Sequence, residues 1–214
     1  MTRAIAREGV WTVGCAVLFM LTTLTILITP LGRNMTSVGT QVRMSLPRVF
    51  AKPAEVESVF ERELSMSQSA LLDRWQPIVE EASRRFGMPE AWIRAVISRE
   101  SGGRTVGKGD VPITSGAGAM GLMQLMPGTY EEMRQQYGLG ADPHNPHDNV
   151  IAATAYLKWL HGRYGYPNMF VAYNDGPGNF EKSLVNKHEL PKESTDYVAA
   201  VTAKIRRTRK AGKA

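Results

Sequence analysis

From about residue 69 onward the apolar side chains follow helical spacing, and this periodicity limits the fold more than any other feature. Apolar residues that recur every three or four positions form one face of a helix, whereas strands need alternation. No alternating stretch of any length is present, although residues 104–114 could form a short hairpin. We therefore predict an all-α, or α-dominated, fold in which loops carry the site. The first helical set comprises Leu71, Leu72, Trp75, Ile78, Val79, Ala82 and Phe86.

Glycine and proline mark where the predicted helices begin and end. The first helix ends at Gly87, and Pro89 opens a second helix that ends at Glu100. Later helices are expected at residues 129–137, from an Asn149 cap onward, near 169–172 and at 194–205.

Residues 10–29 form a stretch of 20 residues without charge or proline. A helix of this length, rising about 1.5 Å per residue, crosses a bilayer core of about 30 Å. The stretch is longer than the apolar region of a typical signal peptide, and no clear cleavage site follows it. We predict an uncleaved transmembrane signal anchor, with a cleaved signal peptide as the alternative. Arginines flank both ends, so the positive-inside rule does not fix the orientation.

These features divide the chain into five predicted parts. The net charge of +6 is matched by the six basic residues of segment 204–214, which contains no acid. Such a tail is either solvated or in contact with anionic lipid, wall polymer or a partner protein. No aromatic platform or recognised module accompanies it, so nucleic acid is not an expected partner. The parts are a cytoplasmic N-terminus at 1–9, the anchor at 10–29, a linker that could hold a short helix at 30–68, the helical domain at 69–205 and a basic tail at 206–214.

Three motifs of the helical domain carry residue types suited to cutting a sugar polymer. Glu100 and Ser101 close an apolar helix, residues 115–124 are rich in glycine, and residues 172–176 read Ala-Tyr-Asn-Asp-Gly. Cleavage of a glycosidic bond needs a proton on the leaving oxygen, and a carboxylic acid kept neutral by an apolar pocket can deliver it. Trp92, Ile93, Val96 and Ile97 are the residues predicted to make the surroundings of Glu100 apolar.

The order of these motifs resembles the lytic transglycosylase catalytic domain of the soluble-lytic-transglycosylase (SLT) type. The likeness covers residues 71–205 and includes Gly118-Ala-Met-Gly-Leu-Met-Gln-Leu-Met-Pro127, the segment from Asp142 to Asn149, and Glu193-Ser-Thr-Asp-Tyr197. The resemblance implies a goose-lysozyme-like fold. It also implies a lyase that cuts the bond between N-acetylmuramic acid and N-acetylglucosamine in peptidoglycan without metal or cofactor.

By its position in the Glu-Ser motif, Glu100 resembles the residue that acts as catalytic acid and base in the family. Ser101, Tyr173 and Tyr197 resemble residues that orient this acid, and Gly121, Met123, Gln124, Tyr173 and Asn174 resemble residues that bind substrate. Two plainer interpretations stay open. Ser101 could bond its own backbone at the helix end, and the methionines at 120, 123 and 126 could fill the core.

The resemblance implies that Glu100 first protonates the glycosidic oxygen and then, as a base, helps the muramic acid 6-hydroxyl close a 1,6-anhydro ring. Residues 104–110 form an insertion relative to the family. If Asp110 or Asp175 activated water, the protein would be a lysozyme-like hydrolase instead, and a non-catalytic wall-binding module of a secretion complex is a third reading. His144 and His147 lack partners typical of a metal site, so a capped loop is predicted there.

The resemblance also suggests a location and partners. Peptidoglycan is the expected partner, with the inner membrane reached through the anchor and the catalytic domain in the periplasm. Small members of the family accompany type IV secretion and conjugation systems, so such a complex is a further expected partner.

Overall fold

The computed structural model describes residues 57–211. Within this range there are nine helices and one short hairpin, which agrees with the predicted α-dominated fold. The helices are α1 (Val59–Ser65), α2 (Gln68–Asp73), α3 (Gln76–Phe86), α4 (Glu90–Glu100), α5 (Pro127–Tyr137), α6 (Pro146–Tyr164), α7 (Asn168–Asp175), α8 (Pro177–Asn186) and α9 (Lys192–Ala211), and the strands are β1 (Val106–Gly107) and β2 (Val111–Pro112).

Helix α6 is the centre of the domain. It contacts α3, α5 and α7, and its residues 149–155 are buried around the whole circumference, whereas Trp159 near its end is exposed. A helix that is apolar on every side is stable only when other helices enclose it. Helix α4 packs against α9, and α7 packs against α8 and α9.

The predicted first helix is two helices. Pro77 lies in the first turn of α3, where its missing N–H costs nothing, and Trp75 has φ −94° and ψ 0° at the junction after α2. Gly87 ends α3 in the left-handed conformation as expected, and Gly138 does the same for α5. Helix α8, which buries only Phe180, was not predicted.

The prediction that Asn149 caps the fourth helix is wrong. Helix α6 begins one turn earlier at Pro146, and the side chain of Asn145 accepts a hydrogen bond from the backbone N–H of Asp148 at 3.1 Å. Asn149 is therefore an internal residue of α6, and it is completely buried.

The predicted hairpin is present in the insertion. Val106 pairs with Pro112 and Gly107 pairs with Val111 in antiparallel register. The helix expected within the linker is also present, as α1, and it is joined to the hairpin by Glu63. The buried carboxylate of Glu63 accepts hydrogen bonds from the Thr105 N–H and hydroxyl and forms an ion pair with Arg74.

Some observed helices extend beyond the predicted helical domain at 69–205. Helix α1 lies within the predicted linker, and α9 continues to Ala211, into the predicted basic tail. No helix between residues 57 and 211 is both long enough and apolar enough to cross a bilayer. The predicted anchor at 10–29 lies outside the described residues.

Candidate active site

Glu100 is the last residue of α4 and is partly buried. The preceding turn of the same helix is apolar and enclosed, because Val96 and Ile97 are almost fully buried. Burial raises the pKa of the Glu100 carboxyl to about 7, although the hydrogen bond from Tyr197 and the charge of Arg99 oppose the shift. A carboxyl with this pKa is partly protonated near neutral pH, as a general acid must be.

Tyr197 is the direct partner of this carboxyl. It lies on α9, only 2% exposed, and its hydroxyl donates a hydrogen bond of 2.5 Å to Oε1 of Glu100. The guanidinium of Arg99 lies 5.7 Å from the centre of the tyrosine ring. Burial, and then the charge of Glu100, raise the pKa of the Tyr197 phenol well above its ordinary value. The phenol therefore stays protonated and is a permanent donor to one carboxyl oxygen, which leaves the other oxygen for substrate.

Tyr173, on α7, is a second neutral phenol near the acid. Its hydroxyl donates a hydrogen bond of 2.6 Å to the backbone oxygen of Met123. Burial raises the pKa of this phenol well above its ordinary value, and the charge of Glu100 adds to the shift. Tyr173 thus connects α7 to the glycine-rich segment.

The glycine-rich segment turns back on itself at residues 120–125, the GLMQ turn. The N–H groups of Met120 and Leu125 each donate to the carbonyl oxygen of the other, at 2.9 and 3.1 Å. Gln124 has a positive φ of 50°, and its side-chain amide donates to the Gly121 carbonyl at 2.8 Å. The turn is therefore held by backbone pairing and by one of the side chains predicted to bind substrate.

Gly121 has a packing reason to be glycine. Its φ is +77°, and a Cβ atom there would lie 2.5 Å from Nδ2 of Asn149 and 2.7 Å from the Pro143 carbonyl oxygen. Any side chain would force apart the GLMQ turn and α6. The observed contacts are thus with the protein itself, and a contact with sugar remains a prediction.

Met123 and Asn174 lie in very different surroundings. The Met123 side chain is completely buried in the core, so its backbone oxygen, which binds Tyr173, is the atom directed to the site. Of the neighbouring methionines, Met126 is 47% exposed. Asn174 is partly exposed near the end of α7, and its amide makes no hydrogen bond within residues 57–211, which leaves it available to a ligand.

Ser101 has the contacts of the plainer interpretation. Its hydroxyl donates to the Ile97 carbonyl at 3.3 Å and accepts from the Gly103 N–H at 3.1 Å. Both contacts stabilise the chain where α4 ends. A role for Ser101 in orienting Glu100 remains a prediction.

The two alternative bases lie in different parts of the domain. Asp110 is in the turn of the hairpin, where its carboxylate accepts a hydrogen bond of 2.8 Å from the Phe60 N–H of α1. Asp175 ends α7, two residues after Tyr173. The histidines of the capped loop bond to Thr114 in the case of His144, and to Glu81 and Asp148 in the case of His147. Within residues 57–211 no group of three or more histidine, cysteine or acidic side chains is arranged to hold a metal ion.

Asn149 is a polar residue of the site whose contacts were not predicted from the sequence. Its side chain binds Met123, Met120 and Pro143 and so joins α6 to the GLMQ turn. The pair Asn145–Pro146, an N-cap residue followed by proline at the first helical position, was the signal that places the helix start before Asn149.

Comparison with known proteins agrees with this arrangement. A family model described as the transglycosylase SLT domain matches residues 77–195. The chain is 32% identical over 142 residues to the endo-type membrane-bound lytic murein transglycosylase A of Citrobacter koseri, an alignment that covers 59% of this chain and 67% of that protein. It is 30% identical over 106 residues to the soluble lytic murein transglycosylase of Escherichia coli K12, covering 46% of this chain and 16% of that protein.

Solved structures give the same fold. An inactive glutamate-to-glutamine mutant of the lytic transglycosylase Slt from Pseudomonas aeruginosa superimposes with a TM-score of 0.52 at 27% identity, over 61% of this chain and 23% of that one. The 70-kDa soluble lytic transglycosylase in complex with bulgecin A gives a TM-score of 0.56 at 23% identity, over 64% and 24% of the two chains, and supports the fold alone.

The helical domain, with its partly buried acid at a helix end, two phenols and a glycine-rich turn, has the lysozyme-like transglycosylase fold of these solved structures. Because the family model covers more than half of the chain, the protein belongs to the transglycosylase SLT domain family. The relatives are lytic murein transglycosylases, and the predicted enzyme class, a peptidoglycan lytic transglycosylase, is confirmed. The chain spans 67% of the length of the Citrobacter protein and far less of the soluble enzymes.

Proposed function

We propose that this chain cleaves the β-1,4 bond between N-acetylmuramic acid and N-acetylglucosamine in peptidoglycan, with Glu100 as acid and then base. The observation that carries the proposal is the carboxyl of Glu100, whose pKa burial raises to about 7 while Tyr197 holds one of its oxygens. One group that is neutral and charged in comparable amounts near pH 7 can serve in both steps.

The steps balance without water. Glu100 gives its proton to the glycosidic oxygen, the bond from that oxygen to C1 of the muramic acid breaks, and N-acetylglucosamine leaves with a free 4-hydroxyl. The N-acetyl group of the muramic acid assists at C1. The carboxylate of Glu100 then takes the proton of the 6-hydroxyl, whose oxygen bonds to C1 and closes the 1,6-anhydro ring. The acid is thereby regenerated, and no second carboxylate is required.

The other site residues receive supporting roles in this proposal. Tyr197 keeps Glu100 in one orientation, and Tyr173 holds the GLMQ turn through the Met123 carbonyl. Gln124 and Asn174 are the amides placed to meet the N-acetyl or peptide groups of the substrate. Ser101 supports the end of α4, from which Glu100 projects.

Digestion of purified peptidoglycan sacculi tests the reaction. Mass spectrometry of the products should show 1,6-anhydromuramic acid ends. Chain ends that borohydride reduces would indicate a hydrolase, with Asp110 or Asp175 as the suspected base, and no cleavage would indicate a wall-binding module. Glu100→Gln should lower the rate by about 10²–10⁴-fold or more, because the amide has no proton to give. Glu189→Gln is the matched control, since Glu189 is an exposed loop residue.

The location of the enzyme is a separate part of the proposal. The Citrobacter relative is named a membrane-bound enzyme, and the uncharged stretch at 10–29 supports an anchor with the catalytic domain in the periplasm. Association with a type IV secretion or conjugation system rests on the resemblance alone, and co-purification of such a system with the tagged full chain tests it.

A further inference from the structure

Asn149 is a buried amide that has no place in the reaction as written. It lies in the first turns of α6 with no measurable exposure. A buried side-chain amide costs folding free energy unless its polar atoms are paired. All the pairing partners of Asn149 lie outside α6, so the side chain is used to hold other parts of the domain.

Three hydrogen bonds join Asn149 to the loops around the site. Its Oδ1 accepts from the Met123 N–H at 2.8 Å, and its Nδ2 donates to the carbonyl oxygens of Met120 and Pro143, both at 2.9 Å. The Asn149 amide thus forms hydrogen bonds to both sides of the GLMQ turn. The same amide also joins the turn to the loop that precedes α6.

The fit between the amide and the turn is close. The Cβ position of Gly121 lies 2.5 Å from Nδ2 and 2.7 Å from Cγ of Asn149, so only glycine leaves room for the amide. Because the position requires a side chain that offers one acceptor and two donor hydrogens in fixed places, aspartate, which has the same shape, cannot replace asparagine. A carboxylate at this point would face two carbonyl oxygens with no hydrogen to share.

The hydrogen bonds of Asn149 extend through Met123 to Tyr173. The Met123 N–H donates to Oδ1 of Asn149, and the Met123 carbonyl oxygen accepts from the Tyr173 hydroxyl at 2.6 Å. Gln124 follows directly in the turn. We propose, on the basis of the function proposed above, that Asn149 is a positioning residue which sets the Met123 carbonyl and thereby places Tyr173 for catalysis by Glu100. It acts through these residues and does not touch substrate.

A double-mutant cycle on the full chain in detergent tests the proposal, with soluble uncrosslinked glycan chains as substrate. Asn149→Asp should lower kcat about tenfold or more, since a displacement of about 1 Å in a site has effects of this size. In the Tyr173→Phe background the same change should lower kcat less than about twofold, because the connection is already broken. Multiplicative effects of the two changes would overturn the proposal.

Asn145→Ala is the matched control. It removes the cap of the same helix and destabilises it, yet it leaves the GLMQ turn untouched, so kcat should stay within about twofold of wild type. An equal loss of kcat in this control would mean that any damage to α6 suffices, and the proposal would be wrong. If Asn149→Asp does not fold, Asn149→Ser, which keeps a small polar group, takes its place in the cycle.

Amide hydrogen exchange supplies a readout that does not depend on activity. In Asn149→Asp, or in Asn149→Ser, residues 120–125 should exchange faster while α4 and α9 keep their protection. Unchanged exchange at 120–125 would overturn the proposal. If the wild-type chain yields no anhydro product, the proposed function fails, whereas exchange still decides whether Asn149 holds the turn.

Discussion

At the scale of single residues, the site depends on a carboxyl that folding makes harder to ionise. Burial raises the pKa of Glu100 to about 7, and the Tyr197 hydroxyl and Arg99 limit that rise. Glu100 and Tyr197 were both foreseeable from their motifs. The role of Met123 was not, because its side chain enters the core and its backbone oxygen binds Tyr173. A sequence displays side chains, whereas the direction of a carbonyl group depends on how the turn folds.

The pH dependence of the rate should report the Glu100–Tyr197 contact. The initial step needs the neutral carboxyl, so kcat/KM should fall as the pH rises through about 7. The hydrogen bond from Tyr197 lowers the pKa of Glu100, so Tyr197→Phe should move this limb to higher pH. Rates of muropeptide release measured between pH 5 and 9, roughly the span in which the carboxyl titrates, provide the test. A limb that stays in place or moves to lower pH would contradict the assignment of Glu100 as the titrating acid.

The same carboxyl should reduce the stability of the fold at alkaline pH. Its pKa is about 7 in the folded state against an ordinary value of 4.5, so between these values the folded chain holds a proton that the unfolded chain has released. The free energy of unfolding therefore falls as the pH rises through this window, and the loss is complete above the folded-state pKa.

Glu100→Gln removes this penalty, since glutamine does not titrate. The variant should be more stable than wild type at pH 8, by up to about 3 kcal/mol, and the difference should shrink towards zero near pH 4. Urea denaturation at several pH values measures it, with Glu189→Gln as the control that should change little. A variant that is no more stable than wild type at pH 8 would mean that the carboxyl ionises freely.

At the scale of elements, most helices were predictable because their apolar spacing and their glycine and proline boundaries agree. The errors have physical causes. The helical spacing of apolar residues continues from Leu72 through Trp75 to Ile78, so α2 and α3 looked like one helix. Pro77, in the first turn of α3, marks the boundary between them. Helix α8 has three large apolar side chains, but only Phe180 is buried while Leu184 and Val185 are exposed, so its apolar residues do not mark one buried face.

The attachment of α1 to the hairpin was not foreseeable, since it depends on the buried carboxylate of Glu63. Burial alone would raise the pKa of Glu63, but hydrogen bonds from Thr105 and Arg74 outweigh it and lower the pKa. Removing one member of a buried ion pair leaves the other unpaired, which costs about 3–5 kcal/mol. Glu63→Ala should therefore destabilise the domain by about that amount at neutral pH, as measured by urea denaturation.

Glu61→Ala is the control on the same helix, because Glu61 is exposed, and it should cost much less. The stability that Glu63 contributes is present above the unfolded-state pKa and is lost as the pH falls through the lower folded-state pKa. The gap between Glu63→Ala and wild type should accordingly narrow in acid. Equal effects of the two substitutions would show that α1 is held by its apolar contacts alone.

At the scale of the whole molecule, the chain combines a catalytic domain with a predicted membrane anchor at 10–29. The described domain needs no disulfide, since the only cysteine of the chain is Cys15. Its core is formed by long helices, and one of them, α9, carries both Tyr197 and much of the basic charge near the C-terminus. Catalysis and any attraction to anionic wall polymer or lipid thus share one element.

The predicted anchor at 10–29 implies where the chain lies in the cell. The full chain should remain in the inner membrane after a carbonate wash, and its N-terminus should begin near Met1, because residues 10–29 suffice to cross the bilayer and no clear cleavage site follows. A soluble mature protein that begins in the thirties would refute the anchor.

A reporter fused after Ala214 should be active only on the periplasmic side. Arg33, Arg43 and Arg48 oppose this orientation by the positive-inside rule. The location of the substrate outweighs that rule, since a domain facing the cytoplasm would never meet assembled peptidoglycan.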